Sequence, residues 1–242
     1  MKTLYLDLSM GAAGDMLAAA LLELLPDPDS FLAELNGLGI PGVRYQRERA
    51  IKCGVTGTHL AVTVDGEEEH SHDHHPHDHG HEHHHDQGTH DHEHRHGHEH
   101  GSHHHSGIHD IAHIVRDHLA LPSKVKDDVM AVYALIAQAE SHVHGAPVTE
   151  IHFHEVGTMD AVADITAVCL LMDRLAPDLV TASPVHVGSG QVRCAHGILP
   201  VPAPATAHIL RDVPIYGGQI QGELCTPTGA ALLKHFAAQF GP

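Results

Sequence analysis

A chain of 242 residues, 42% of them hydrophobic, is long enough to bury the core of one or two domains. Its 13 Lys and Arg against 31 Asp and Glu give a formal charge of −18. That balance excludes a broad cationic face for nucleic acid or anionic lipid, and it points to cations, small molecules or proteins as partners.

The opening MKTLYLDLSMG carries Asp7 inside its first apolar run, so it lacks the uninterrupted apolar core of a signal peptide. No later segment reaches about 18 uncharged apolar residues, the minimum for a span, and a cytoplasmic protein outside the membrane is expected. Cys53, Cys169, Cys194 and Cys225 form no C-x-x-C pair and read as reduced thiols.

In chain order, Thr3–Leu8 alternates like a strand, and Ala12–Leu25 reads as a helix that starts at the Gly-rich turn Gly11 to Gly14. Asp27–Gly39 is a second helix, closed by Gly37 and Gly39. Val43–Lys52 and Gly57–Gly66 read as two strands with Gly54 and Gly57 between them.

From His70 to His105 the composition changes completely. The stretch holds 19 of the 31 histidines and no aliphatic or aromatic side chain that could pack. It cannot build a core, and a disordered insert over 70–107 is expected. Neutral imidazoles such as His74, His75, His83, His84, His85, His103, His104 and His105, flanked by carboxylates, form a loose ligand mixture. It suits nickel, zinc or copper rather than calcium.

Residues 1–69 and 108–242 then read as two parts of one α/β domain. Helices are expected at Ile108–Ala120, Ser123–His142, Asp160–Leu175, Ala203–Arg211 and Thr228–Phe240, with short strands between the later ones. The fold class is mixed α/β (α+β), a small sheet flanked by helices, with the strand order left open.

The densest chemistry lies in EIHFHEVGTMDAVADI, Glu150 to Ile165. If the start is extended, Ile151 and Phe153 point one way and His152 and His154 the other, like a metal clamp. Thr158 is a plausible N-cap, which sets Asp160 and Asp164 one helical turn apart. Apolar residues surround Asp164, and a buried carboxylate needs a cation or hydrogen-bond donors. A divalent metal held by His152, His154, Glu155, Asp160 and Asp164 in some combination meets that need, and Asp160, Asp164 and Glu155 are also the candidate bases. The plain alternative is backbone capping with the histidines as polar rim.

The turn DLSMGAAGDM offers Asp7, Ser9, Gly11, Gly14 and Asp15. Glycines admit a close ligand, and the helix start favours an anion such as a phosphate; Asp7 and Asp15 equally suit a cation, and a simple tight turn is the alternative. CAHGILPVPAPAT and GELCTPTGAALL are Gly- and Pro-rich loops whose chemically able members include His196, Thr226 and Thr228.

Together, YLDLSMGAAGDM, EIHFHEVGTMDAVADI, CAHGILPVPAPAT and GELCTPTGAALL, in this order around a His-rich insert, resemble the N-terminal half of the LarC family. The resemblance runs from Leu4 to about Phe240. It implies a CTP-dependent cyclometallase, a nickel chelatase of the lyase class, acting on pyridinium-3,5-bisthiocarboxylic acid mononucleotide. Its product is the nickel-pincer nucleotide cofactor of lactate racemase-type enzymes.

Family members continue into a C-terminal half implied to bind CTP with magnesium or manganese. The sequence ends at FGP without it, so that half is an expected partner, and a homo-oligomer is a further possibility. Two other functions fit the same residues: a nickel storage or chaperone protein without chemistry, and a metal-dependent hydrolase.

Overall fold

The computed structural model describes residues 1–68, 107–153, 156–194 and 197–241. The expectations placed on the histidine tract and on His154, Glu155 and His196 lie outside the described residues.

Strand β1 (Thr3–Leu6) pairs in parallel with β5 (Leu179–Ala182), Thr3 opposite Leu179, and β12 (Gln239–Phe240) joins the other side of β5. Parallel pairing of segments so far apart in sequence requires helical crossovers, and helices fill the space between them. Helix α1 (Gly14–Leu22) buries Leu17, Ala18, Ala19, Leu21 and Leu22, and its small residues let it pack closely on a later helix, α5. Helix α2 (Pro28–Asn36) starts as its sequence dictates, with Pro28 in the first turn and Asp27 accepting the Ser30 N–H at 3.0 Å.

Strands β2 (Val43–Lys52) and β3 (Val55–Val64) form a hairpin from Val43 opposite Val64 to Lys52 opposite Val55, and β4 (Glu67–Glu68) continues it. The turn is Cys53-Gly54, both at positive φ, as a two-residue hairpin loop requires. Gly57 therefore belongs to the strand, opposite Ala50, and not to the turn where the sequence pattern places it. Tyr45, Leu60 and Val62 fasten the inner half to the core, and the Tyr45 hydroxyl donates to the Ala163 carbonyl at 2.9 Å.

Beyond the tract, α3 (Ile108–His113) passes into a π-helical turn, Ile114–His118, which the Leu119 N–H closes onto the Ile114 carbonyl at 3.2 Å. The single helix expected there is thus two helical forms in succession. Helix α4 (Ser123–His144) ends on left-handed Gly145. Helix α5 (Met159–Leu175) begins on Thr158, whose hydroxyl accepts the Ala161 N–H at 3.4 Å, and Ala161 to Met172 are all buried. That unbroken burial makes α5 the central helix, packed against α1, α4 and the hairpin.

The rest of the chain is short elements. They are β6 (Val185–His186), β7 (Gly188–Ser189), β8 (Gln191–Cys194), β9 (Gly197–Pro200), α6 (Pro204–Ile209), β10 (Ile215–Tyr216), β11 (Gly222–Glu223) and α7 (Pro227–Phe236). β6 pairs with β10, β7 with β11 and β8 with β9. The last helix stops at Phe236, short of the expected Phe240, because the chain turns back to the sheet: the Ala238 and Gly241 N–H groups donate to Val180 and Ala182, both at 2.9 Å. Residues on both sides of the tract, Leu8 and Leu60 with Val132 and Ile165, share one hydrophobic core. Among the described residues no helix is long and apolar enough to cross a membrane.

Candidate functional site

The starts of α1, α5 and α7 meet at one place. The chain leaves β1 through a turn in which the Ser9 N–H donates to Asp7 Oδ1 at 3.0 Å and the Gly11 N–H to the Leu8 carbonyl at 3.0 Å. Ala12 then bridges to the loop before α7, donating to the Leu224 carbonyl at 2.9 Å and accepting from the Thr226 N–H at 3.0 Å. Backbone lies so close that a Cβ on Gly11 would fall on the Leu224 carbonyl, and one on Gly229 on the Ala12 carbonyl. Gly11 also sits at φ +85°, which side chains rarely adopt.

Gly14, the first residue of α1, abuts the second turn of α5: a Cβ there would lie 2.7 Å from Asp164 Oδ2 and 2.8 Å from Asp164 Cβ. The Gly-rich turn and the acidic start of α5, two separate candidates in the sequence, therefore lie against each other. Asp164 is only 8% exposed and Asp160 is half-buried.

Two phenols share this low-dielectric pocket. Tyr45 and Tyr133 are fully buried, and their pKa is pushed well above the usual tyrosine value, first by burial and then by the charge of Asp164. Both are held neutral, as O–H donors. Tyr45 spends its proton on Ala163, whereas the Tyr133 hydroxyl has no hydrogen-bond partner among the described residues. The Tyr133 ring packs against Phe153, centroids 6.0 Å apart, which places it against the Ile151–Phe153 segment.

In that segment Ile151 and Phe153 are buried and His152 is exposed, the alternation the sequence pattern requires. His152 pairs by backbone with Gly107, the first described residue after the tract. Of the five expected ligands, His152, Asp160 and Asp164 are in view. Among the described residues no three of His, Cys, Asp and Glu converge as a metal would need. Asp7 and Ser9 are exposed at the turn and Asp15 is half-buried in the first turn of α1. Thr226 caps α7 by accepting the Gly229 N–H at 3.2 Å and shares a 2.9 Å hydrogen bond with Thr228.

The sequence reading passed over two residues here, Tyr133 and His186. His186 is buried; its Nδ1–H donates to the Ser9 carbonyl at 2.8 Å and its ring stacks on Tyr216 at 4.7 Å. That bond fixes the tautomer and leaves a lone pair on Nε2, which is buried against Gly218 without a hydrogen-bond partner among the described residues. A single histidine between valines and a tyrosine inside a helix carry no signal in sequence. Cys225, also buried here, has its thiol pushed up to about 12, mainly by burial and then by the Glu223 charge.

Residues 4–242 match the family described as nickel insertion protein. The chain belongs to the nickel insertion protein family. It is 36% identical, over 99% of its own length and 52% of the relative's, to a pyridinium-3,5-bisthiocarboxylic acid mononucleotide nickel insertion protein of Staphylococcus saprophyticus. The relative of the same name in Clostridium kluyveri is 39% identical over 99% of the chain and 54% of the relative, and that of Desulfitobacterium hafniense is 37% identical over 100% and 51%. The chain spans about half the length of the curated relatives it matches. No solved structure matches it. In this chain three of the four motifs that carried the resemblance to the nickel insertion protein family contribute the junction's main parts: the Gly11–Gly14 turn, Asp160 and Asp164, and the Thr226–Gly229 start of α7.

Proposed function

We propose that this chain is the half of a nickel insertion protein that holds pyridinium-3,5-bisthiocarboxylic acid mononucleotide and receives nickel for it. The carrying observation is the contact of Gly14 with Asp164, which unites a loop suited to a phosphate with a carboxylate suited to a metal or a proton. In this reading the mononucleotide phosphate is bound by the backbone N–H groups of the Ser9–Gly14 turn that the fold leaves uncommitted, Met10, Ala13 and Gly14, and by that of Thr228 at the adjoining start of α7. His196 lies near the ligand, and Asp7 and Asp15 flank its phosphate or hold a second cation.

Nickel, the cargo, passes from the tract to His152 and His154 and then to Glu155, Asp160 and Asp164. Two thiocarboxylate sulfurs and one ring carbon of the precursor bond the nickel. The ring carbon loses its proton, which a carboxylate of the Asp160–Asp164 pair or Glu155 accepts. Tyr133, neutral and buried beside these carboxylates, supplies a hydrogen-bond donor to the bound ligand. CTP and its magnesium or manganese ion belong to a C-terminal half.

Asp164→Asn tests this. Insertion is assayed with the C-terminal half, CTP and the precursor, and nickel uptake is measured on the same sample. The expected outcome is insertion reduced at least about 100-fold, the range of a lost acid–base group, with tract uptake unchanged. Insertion preserved per folded molecule would remove the α5 carboxylate from the reaction.

A further inference from the structure

The π-helical turn brings together two imidazoles that an α-helix would separate. His113 and His118 are five residues apart, which on an α-helix places them about 140° apart around the axis. The wider turn instead aligns residues five apart, and π turns of this kind concentrate at functional sites. The result is that His113 Nε2 and His118 Nε2 stand 3.0 Å from each other, with the rings nearly perpendicular at 87°.

On its far side, His113 Nδ1–H donates to Asp117 Oδ2 at 2.7 Å. A carboxylate on one ring nitrogen fixes the tautomer and turns the other lone pair outward, the usual support of a metal-bound histidine. All three side chains are exposed, so an ion reaches them without any rearrangement of the core. A divalent metal bonded to two imidazoles at about 2.0–2.1 Å requires nitrogens about 2.9 Å apart at a right angle and about 3.3 Å apart at a tetrahedral one. The observed spacing lies within that range.

We propose that His113 and His118, supported by Asp117, form a surface site for a borderline divalent metal ion, nickel or zinc. In the metal-free pair one proton is shared between the two Nε2 atoms. On binding it moves to Nδ1 of His118, both Nε2 lone pairs bond the ion, and no net proton is lost. Two protein donors with water in the remaining positions hold an ion loosely enough to exchange. The site begins six residues after Gly107, where the chain returns from the tract and pairs with His152, so an ion there is between the tract and the HFHE segment in chain order. It stands apart from the proposed insertion chemistry: an ion bound here requires neither precursor nor CTP.

The test is carried out on the full chain. Diethylpyrocarbonate modification of each histidine is mapped by peptide mass spectrometry, with nickel added past saturation of the tract. The expected result is nickel-dependent protection of both His113 and His118. In His118→Ala, protection of His113 falls at least tenfold while the tract histidines behave as before. Asp117→Ala shifts the half-protecting nickel concentration upward by about 10–100-fold, the usual effect of removing such a support. Equal reactivity of His113 with and without nickel overturns the site, and so does undiminished protection of His113 in His118→Ala.

Discussion

The junction of α1, α5 and α7 and the outer half of the β2–β3 hairpin are both marked by glycine, and they use it in opposite ways. At the junction, Gly11, Gly14 and Gly229 have backbone or Asp164 where a Cβ would go. At the hairpin, Gly54 and Gly57 face open space, Ile51 and Val55 are exposed, and the turn needs only a positive φ. The letter is the same in both, but one set records the close approach of three chain segments and the other a single chain reversing. Packing as tight as the junction's holds a carboxylate and a Gly-rich turn at fixed separation, which is what a site that positions a small charged ligand requires.

The strongest way to break this contrast is an alanine at each place. Gly229 lies in α7, where alanine by itself would gain about 0.5–1 kcal/mol. The collision with the Ala12 carbonyl reverses the sign, and Gly229→Ala is expected to lose about 2 kcal/mol in chemical denaturation, as overpacking does. Gly57→Ala, in a strand and unobstructed, is expected to be neutral or to gain up to about 1 kcal/mol. Equal stabilities for the two variants would mean that the junction is open.

The buried tyrosines sharpen the contrast at smaller magnitude. Tyr45 ties the hairpin to α5 through its hydroxyl, so Tyr45→Phe should cost about 1 kcal/mol. Tyr133→Phe removes a hydroxyl that has no hydrogen-bond partner among the described residues, and it should leave stability unchanged or raise it by up to about 1 kcal/mol while lowering insertion. A clear loss of stability in Tyr133→Phe would identify that hydroxyl as structural. Both phenols titrate well above the usual value, so their contribution is full below about pH 10 and is lost as pH rises through the folded values. Either variant should therefore resist alkaline unfolding better than the parent.

The hairpin strands and the starts of α2 and α5 were legible because their signals are local: alternation, Asp27 before Pro28, Thr158 before Met159. Burial of Asp164 was legible from the apolar run around it. The union of the Gly-rich turn with Asp164 was not, because it joins residues far apart whose contact leaves no periodic trace. The same holds for His186 and Tyr133, whose roles come from neighbours on other elements. The extent of the last helix was misread because Ala237, Ala238 and Phe240 continue the apolar pattern of α7, while the edge of β5 claims Gln239 and Phe240 instead.

The finest distinction between the two regions is in their thiols. Cys53, at the exposed hairpin turn, should react with a disulfide reagent within the mixing time at pH 8. Cys225, in the junction, is fully buried with its thiol pushed up to about 12, so only about one molecule in ten thousand carries the thiolate at that pH. It should be labelled only after unfolding, together with buried Cys169. Because the folded value is raised, the stability this thiol contributes is full below about pH 8.5 and declines as pH rises toward 12. A protonated thiol is also a poor metal ligand, so saturating nickel should leave the labelling of Cys225 unchanged. Rapid labelling of Cys225 in the folded protein, or protection of it by nickel, would show that the junction opens to solvent and that its donors include sulfur as well as carboxylate.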